Sequence, residues 1–192
     1  CSSDLNNVKP FFQKLDLSSC NDLELDATKL KVLHYYGAAQ KHSLRAKKQF
    51  DNYVAMPNST YVPRSGDAEK LLPLLPPELL EIEVPELWVM NMRPNHKSNV
   101  IPAHKDKTRL CSVTFFFDCH GEETSFYKYH GSDLVKEASF IAKHGDVYLL
   151  NNDEVHDVRL AHPHIRKQVG LSFITTPFEN VYDQLCKAGY IS

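Results

Sequence analysis

No apolar run in these 192 residues approaches the roughly 20 needed to cross a bilayer, so no membrane span is expected. Excess charge of one sign is also missing. A net charge of −2 provides neither a basic field to gather nucleic acid nor an acidic tail. The first residues, CSSDLNNVKP, lack the apolar core of a signal peptide. No CxxC occurs, and the five cysteines (Cys1, Cys20, Cys111, Cys119, Cys186) are odd in number. Free thiols in a reducing, cytoplasmic setting are therefore expected rather than a disulfide framework. Internal repeats and low-complexity tracts are absent too. What is present is ordinary: 42% apolar and 24% charged residues, in a chain long enough for one domain with a sizeable core.

Two textures divide that domain. Residues 1–80 read as a mixed, partly helical layer. LDATKLKVLHYYGAAQKHSLRAKKQF carries helix formers with apolar residues near helical spacing. Asp67 is placed to cap a short helix, DAEKLLPLL, which Pro73 interrupts and Pro76-Pro77 ends. Residues 83–178 alternate strand and turn. ELWVMNMRP, VIPAHKD, RLCSVTFFFD, TSFYKYH, ASFIAKH, DVYLLNN, VHDVRLA and QVGLSFITTP make eight short runs, separated by turn residues such as Gly121, Gly131 and Gly145. Eight short strands suggest a sandwich or jelly roll. Residues 179–192 then read as a C-terminal helix with Gly189 past its end. The expected fold is mainly β with N-terminal helices: a single domain, 1–192, around a jelly-roll, cupin-like core.

His104-Lys105-Asp106 is the chemically suggestive stretch. Alone it is a weak signal, because chance yields about one His-x-Asp in a chain of this composition. A rival pair, His144-Gly145-Asp146, straddles a predicted turn, where an Asp more simply closes the turn. On a strand, i and i+2 share a face, so His104 and Asp106 can converge while Lys105 points away. A second His would complete a two-His, one-carboxylate set that leaves metal positions open, the facial arrangement of non-haem Fe(II) oxygenases. His156 is the best-placed third ligand: it enters a strand 52 residues after His104, and a jelly roll brings its second and seventh strands together. His162 and His164 flank Pro163 and are the alternatives, although an exposed turn is the better account of them.

Arg166 follows His156 by ten residues. If the intervening DVRLAHPHI is a hairpin, antiparallel pairing places Arg166 opposite His156 with both side chains inward. A guanidinium there is suited to gripping a carboxylate in bidentate fashion. A 2-oxo acid with a distal carboxylate would satisfy both an open metal and this cation.

Taken together, His104-x-Asp106, His156 and Arg166 on an eight-strand pattern resemble the Fe(II)/2-oxoglutarate-dependent dioxygenase family, across about Trp88 to Pro177. Short prolyl- and aspartyl-hydroxylase-like members are nearest in size. The resemblance implies a double-stranded β-helix core, with His104, Asp106 and His156 holding Fe(II) and Arg166 binding the C5 carboxylate of 2-oxoglutarate. It also implies O2 as co-substrate and oxidation of a substrate C–H bond. The presence of Asp106 implies hydroxylation, demethylation or desaturation rather than halogenation. The chain departs from the family's Arg-x-Ser, having Arg166-Lys167-Gln168. Gln168 or Ser172 would supply the second contact to that carboxylate. Asn91 and Arg109 are candidates for the remaining contacts to the oxo acid or to a substrate carboxylate.

The substrate is expected to be a small molecule, an amino acid or a peptide side chain. The basic segment KHSLRAKKQ keeps a nucleic-acid base as an alternative, and a non-catalytic metal-binding jelly roll is the second alternative. Phe115, Phe116 and Phe117 cannot share one face, so at least one packs toward the N-terminal layer. Tyr127 and Tyr129 share a face and line either the pocket or the core.

Overall fold

The computed structural model describes residues 10–17, 58–61, 71–92, 99–161, 163–164 and 166–192. For residues 58–61, 88–91 and 118 it describes the backbone alone. Ten strands are described: β1 (Phe12–Lys14), β2 (Asn58–Tyr61), β3 (Glu86–Met92), β4 (Val100–His104), β5 (Cys111–Asp118), β6 (Glu123–His130), β7 (Asp133–Ile141), β8 (Val147–Asn151), β9 (Val155–Arg159) and β10 (Arg166–Phe173). Two helices, α1 (Pro77–Ile82) and α2 (Phe178–Lys187), complete the described elements with one 3-10 turn, Leu72–Leu74. The strands form two antiparallel sheets, one ordered β1-β8-β5-β10-β3-β2 and the other β4-β9-β6-β7. The protein is thus mainly β, and the two sheets fit a β-sandwich.

Alternation along the central strands decides what lies where. On β5, Val113 and Phe115 point to a core that also holds Val169 and Leu171 of β10, Leu71, Leu75 and Leu79 of the 3-10 and α1 segment, and Phe178, Val181 and Leu185 of α2. The other face of the same sheet meets the four-stranded sheet. There Phe116, Tyr148 and Leu150 pack with Phe126 and Phe140. The six-stranded sheet is therefore covered on both faces, by helices on one side and by a second sheet on the other. Phe115 and Phe116 are each 0% exposed on opposite faces, as the sequence required, and each buried ring contributes about 1.5–3 kcal/mol.

β1 closes the seam between the sheets. Phe12 stacks on Phe126 at 5.6 Å and on Phe140 at 4.7 Å, and Phe11 stacks on Phe126 at 5.7 Å. Lys14 pairs with Asp146 at 2.6 Å, and Asp146 accepts from the Lys143 amide at 2.9 Å. The rival Asp146 thus closes a turn and anchors β1, the bland role foreseen for it.

All eight expected strands of the 83–178 region are present, with α2 after them and Gly189 at φ 80 past its end. β7 is longer than the expected ASFIAKH, beginning at Asp133, because Gly131 at φ 66 permits a tight turn directly after β6. Pro76-Pro77 begins a helix rather than ending one. Pro77 is the first residue of α1, where a missing amide hydrogen costs nothing. β1 and β2 lie in the layer read as mixed and partly helical. The longer helical stretch and the Asp67 cap fall outside the described residues. The expectation of free thiols needs correcting: Cys111 and Cys119 form no disulfide, but Cys186 is disulfide-bonded, with its partner outside the described residues. The case for a reducing compartment loses that support. No described helix is long and apolar enough to cross a membrane.

Candidate metal centre

The centre is built on the pairing of β4 with β9. In that register Ile101 faces Val158 and His104 faces His156, so β4 carries three steps where β9 carries two. This is a bulge. Pro102 sits inside it, as suits a strand at the edge of its sheet. Regular alternation would put Ile101 and His104 on opposite faces. The bulge returns His104 to the phase of His156, bringing their rings to 4.5 Å between centroids. Asp106 lies beyond the end of β4, so its convergence does not come from i, i+2 strand geometry as expected. Its amide donates to the Asn152 carbonyl at 3.1 Å, which docks the loop on the β8–β9 turn.

His104, Asp106 and His156 each offer one ligand atom, and these atoms lie within 4.8 Å of one another. Hydrogen bonds orient all three. His104 Nδ1 lies 2.7 Å from the Pro102 carbonyl oxygen, and His156 Nδ1 lies 2.9 Å from that of Glu154. A carbonyl oxygen only accepts, so each Nδ1 carries the proton and each Nε2 presents its lone pair to the centre. Burial pushes the His156 pKa down, while the Asp106 charge opposes this incompletely. The ring is therefore neutral at physiological pH. Burial alone would raise the Asp106 pKa, yet the Arg109 guanidinium beside it, by charge and hydrogen bond, helps to outweigh this and hold the carboxyl below its usual value.

Two imidazoles and one carboxylate, without a thiolate, suit a divalent transition metal. Accessibility is graded: the His104 side chain is 40% exposed, that of Asp106 14%, and His156 as a whole only 7%. The inner wall is Phe126, the register partner of His156, with its ring 5.7 Å from the imidazole.

Arg166 occupies a different place from the one the sequence suggested. β9 has β4 and β6 on its two edges, so none is left for β10, which lies in the other sheet between β5 and β3. The chain crosses the sandwich after Leu160 instead of forming a hairpin. Arg166 still reaches the same interior. Its NH1 donates to Thr124 Oγ1 at 2.9 Å, and its guanidinium lies 4.7 Å from the Phe116 ring centroid. Thr124 is two residues from Phe126 on β6, about 7 Å along the strand. Arg166 is 1% exposed, makes no ion pair among the described residues, and leaves Nε without an acceptor. Burial pushes its pKa down to about 10, against the upward pull of Cys119 and Glu122.

Gln168 and Ser172 share the inward alternation of β10 with Arg166, and Gln168 Oε1 and Ser172 Oγ also lack partners. The guanidinium Nε, a buried donor with no acceptor, is what a bound anion would satisfy.

The remaining candidates fall elsewhere. Arg109 contacts Asp106, with Nε at 3.1 Å and NH2 at 2.6 Å from Oδ2. Asn91 pairs with Lys167, a position of opposite alternation to Arg166 and Gln168. Tyr127 donates to Asp157 at 2.7 Å and Tyr129 is 67% exposed, so neither belongs to the pocket or the core. His164 is exposed and stacks on His120 at 3.9 Å, away from the metal ligands. His162 and the KHSLRAKKQ segment lie outside the described residues.

Sequence reasoning missed Asn152. It reads as a turn residue, and only the fold shows its side chain donating to Asp106 Oδ2 at 2.9 Å. It missed Thr124 and Glu122 for the same reason. Compared with known proteins, the chain matches no family model and no curated protein sequence, so the site's chemistry rests on its own geometry.

Proposed function

We propose that this protein is a non-haem Fe(II)- and 2-oxoglutarate-dependent dioxygenase. It hydroxylates a C–H bond of a small molecule, amino acid or peptide side chain and releases succinate and CO2. One observation carries the reading. A two-His, one-carboxylate set, with both Nε2 atoms aimed inward, shares its interior with a fully buried arginine that has no ion-pair partner among the described residues. The strand orders support the finer reading of a jelly roll. Of the eight strands from β3 onward, the second and seventh pair directly and carry the two His ligands.

In this reading His104, Asp106 and His156 hold the iron, and Arg166 holds the far carboxylate of the oxo acid, with the Gln168 side-chain amide as the second donor. When bound together, iron and the oxo acid would activate O2 for C–H oxidation, one oxygen atom ending in succinate and the other in the hydroxylated product. The chain's own residues do the rest. The Pro102 and Glu154 carbonyls fix the imidazole tautomers. Phe126 and Phe116 keep water from the inner side, which strengthens the Arg166–carboxylate attraction. The open side is that of His104, where the substrate has access.

An anaerobic titration with Fe(II) and 2-oxoglutarate tests this. A visible metal-to-ligand charge-transfer band is expected in the wild type and not in Asp106→Ala, with succinate release following the same pattern. A wild-type protein that neither binds Fe(II) nor develops the band removes the assignment, leaving a non-catalytic sandwich.

A further inference from the structure

We infer that Arg109 and Asn152 form a clamp that restricts Asp106 to one-oxygen ligation, and so keeps the rest of the metal's coordination sphere open. This rests on the functional reading above and adds two positioning residues to it. The two carboxylate oxygens of Asp106 are treated unequally. Oδ2 accepts from Arg109 Nε at 3.1 Å, Arg109 NH2 at 2.6 Å and Asn152 Nδ2 at 2.9 Å. Three donors exhaust its lone pairs. Oδ1 accepts no described hydrogen bond and lies 3.7 Å from His104 Nε2, on the side of the metal ligands.

The clamp is itself held. Asn152 is 5% exposed, and its Oδ1 accepts from Ser112 Oγ at 2.7 Å. That bond fixes which end of the amide faces Asp106. Ser112 in turn lies 3.0 Å from Thr114 Oγ1 on the same strand. The support therefore runs from the loop carrying Asp106 into β5, the middle of the six-stranded sheet. The loop needs it, because Lys105, Lys107 and Thr108 on either side of Asp106 are exposed. An unclamped carboxylate on such a loop can turn both oxygens to the metal and occupy an additional position.

Charge and geometry make opposite predictions for Arg109. A cation beside the centre repels a divalent metal, so if Arg109 acted through charge alone, removing it would tighten metal binding. A clamp predicts weaker binding. Two variants isolate geometry: Asn152→Ala, which alters no charge, and Arg109→Lys, which keeps the charge but loses the two-point contact.

The probe is Co(II) alone, titrated into the full chain and followed through its visible d–d bands. Loss of outer-shell support is expected to weaken Co(II) binding 10–100-fold in both variants, with band positions and intensities changed by the altered coordination. Near-UV circular dichroism checks that each variant is folded. Should Asn152→Ala not fold, Arg109→Lys, whose side chain reaches solvent, decides alone. Wild-type affinity within threefold and an unchanged spectrum in a folded variant overturn the clamp while leaving the dioxygenase reading intact. A wild type that does not bind Co(II) overturns both.

Discussion

Arg166 is the residue at which stability and function pull apart, and replacing it with methionine measures both. The guanidinium is 1% exposed and has no ion-pair partner among the described residues. Its pKa is pushed down to about 10, against an ordinary arginine value of about 12.5. At about 1.36 kcal/mol per pKa unit, this corresponds to about 3 kcal/mol against the charged form. The aromatic face of Phe116 and the Thr124 hydroxyl offset part of it, by about 2 kcal/mol each at most. Methionine keeps an unbranched, flexible side chain, though a shorter one, removes the desolvation cost and forfeits those two contacts. The ligand-free Arg166→Met protein should therefore lie within about 2 kcal/mol of wild type by urea denaturation. For comparison, breaking a buried charge pair costs about 3–5 kcal/mol.

Ligand binding should tell the opposite story. At 100 times its dissociation constant, 2-oxoglutarate should stabilise the wild type by about 2.7 kcal/mol. For a chain of this length that raises Tm by about 5–10 °C. Without Arg166 the affinity should fall at least about 100-fold, and the rise should vanish. Differential scanning calorimetry with Co(II), with and without the oxo acid, reads both quantities. A variant that loses more than about 4 kcal/mol without ligand, or keeps the full rise with it, would refute the account of Arg166 as a cation awaiting an anion.

Other outcomes follow from the same structure. Glu83 accepts from the Ile174, Thr175 and Thr176 amides and the Thr175 hydroxyl at 2.6–3.2 Å, fastening the α1–β3 link to the entry of α2. Burial raises its pKa, but those donors outweigh it and the net shift is below the ordinary 4.5. A carboxyl whose folded pKa is depressed contributes stability above its unfolded pKa and loses it as pH falls through the folded value. Glu83→Ala should thus cost about 1–2 kcal/mol at pH 7 and a smaller amount as pH drops below 4.5, measured by urea melts across pH. An equal cost at every pH would discount the charge. Phe126→Ala should cost about 3–5 kcal/mol, since the ring is 1% exposed. It should also speed hydrogen exchange in β1, whose Phe12 loses its stacking partner. Burial and the charges of Glu83 and Glu179 push the Cys111 thiol up, and it is 0% exposed. Iodoacetamide should therefore modify Cys111 only after unfolding.

The strands were legible because β-branched and aromatic residues at alternating positions, between turn residues, leave few other options. The His104, Asp106 and His156 group was legible through residue type and spacing. What the sequence could not show was phase and partner. Nothing in VIPAHKD announces the bulge at Pro102 that turns His104 inward, and nothing in DVRLAHPHI says that the chain crosses to the other sheet. Arg166 was found for an incorrect geometric reason and holds its place for another, a seat across the sandwich instead of along a hairpin. Arg109 was read as a ligand contact because a free guanidinium and a clamped one look alike in one dimension. Asn152 was overlooked because asparagine in a turn needs no further explanation until its amide is seen on Asp106.

β10 divides its side chains between two tasks. Val169, Leu171 and Phe173 belong to the core against the helices, while Arg166, Gln168 and Ser172 face the interior of the sandwich. A single strand thus separates what keeps the protein folded from what it holds. If the dioxygenase reading holds, substitutions at residue 168 are the ones expected to alter which acid binds beside Arg166. Residues 168 and 172 are buried too, so only replacements close to the native volume should leave the fold intact there, and selectivity would have to be changed within that limit.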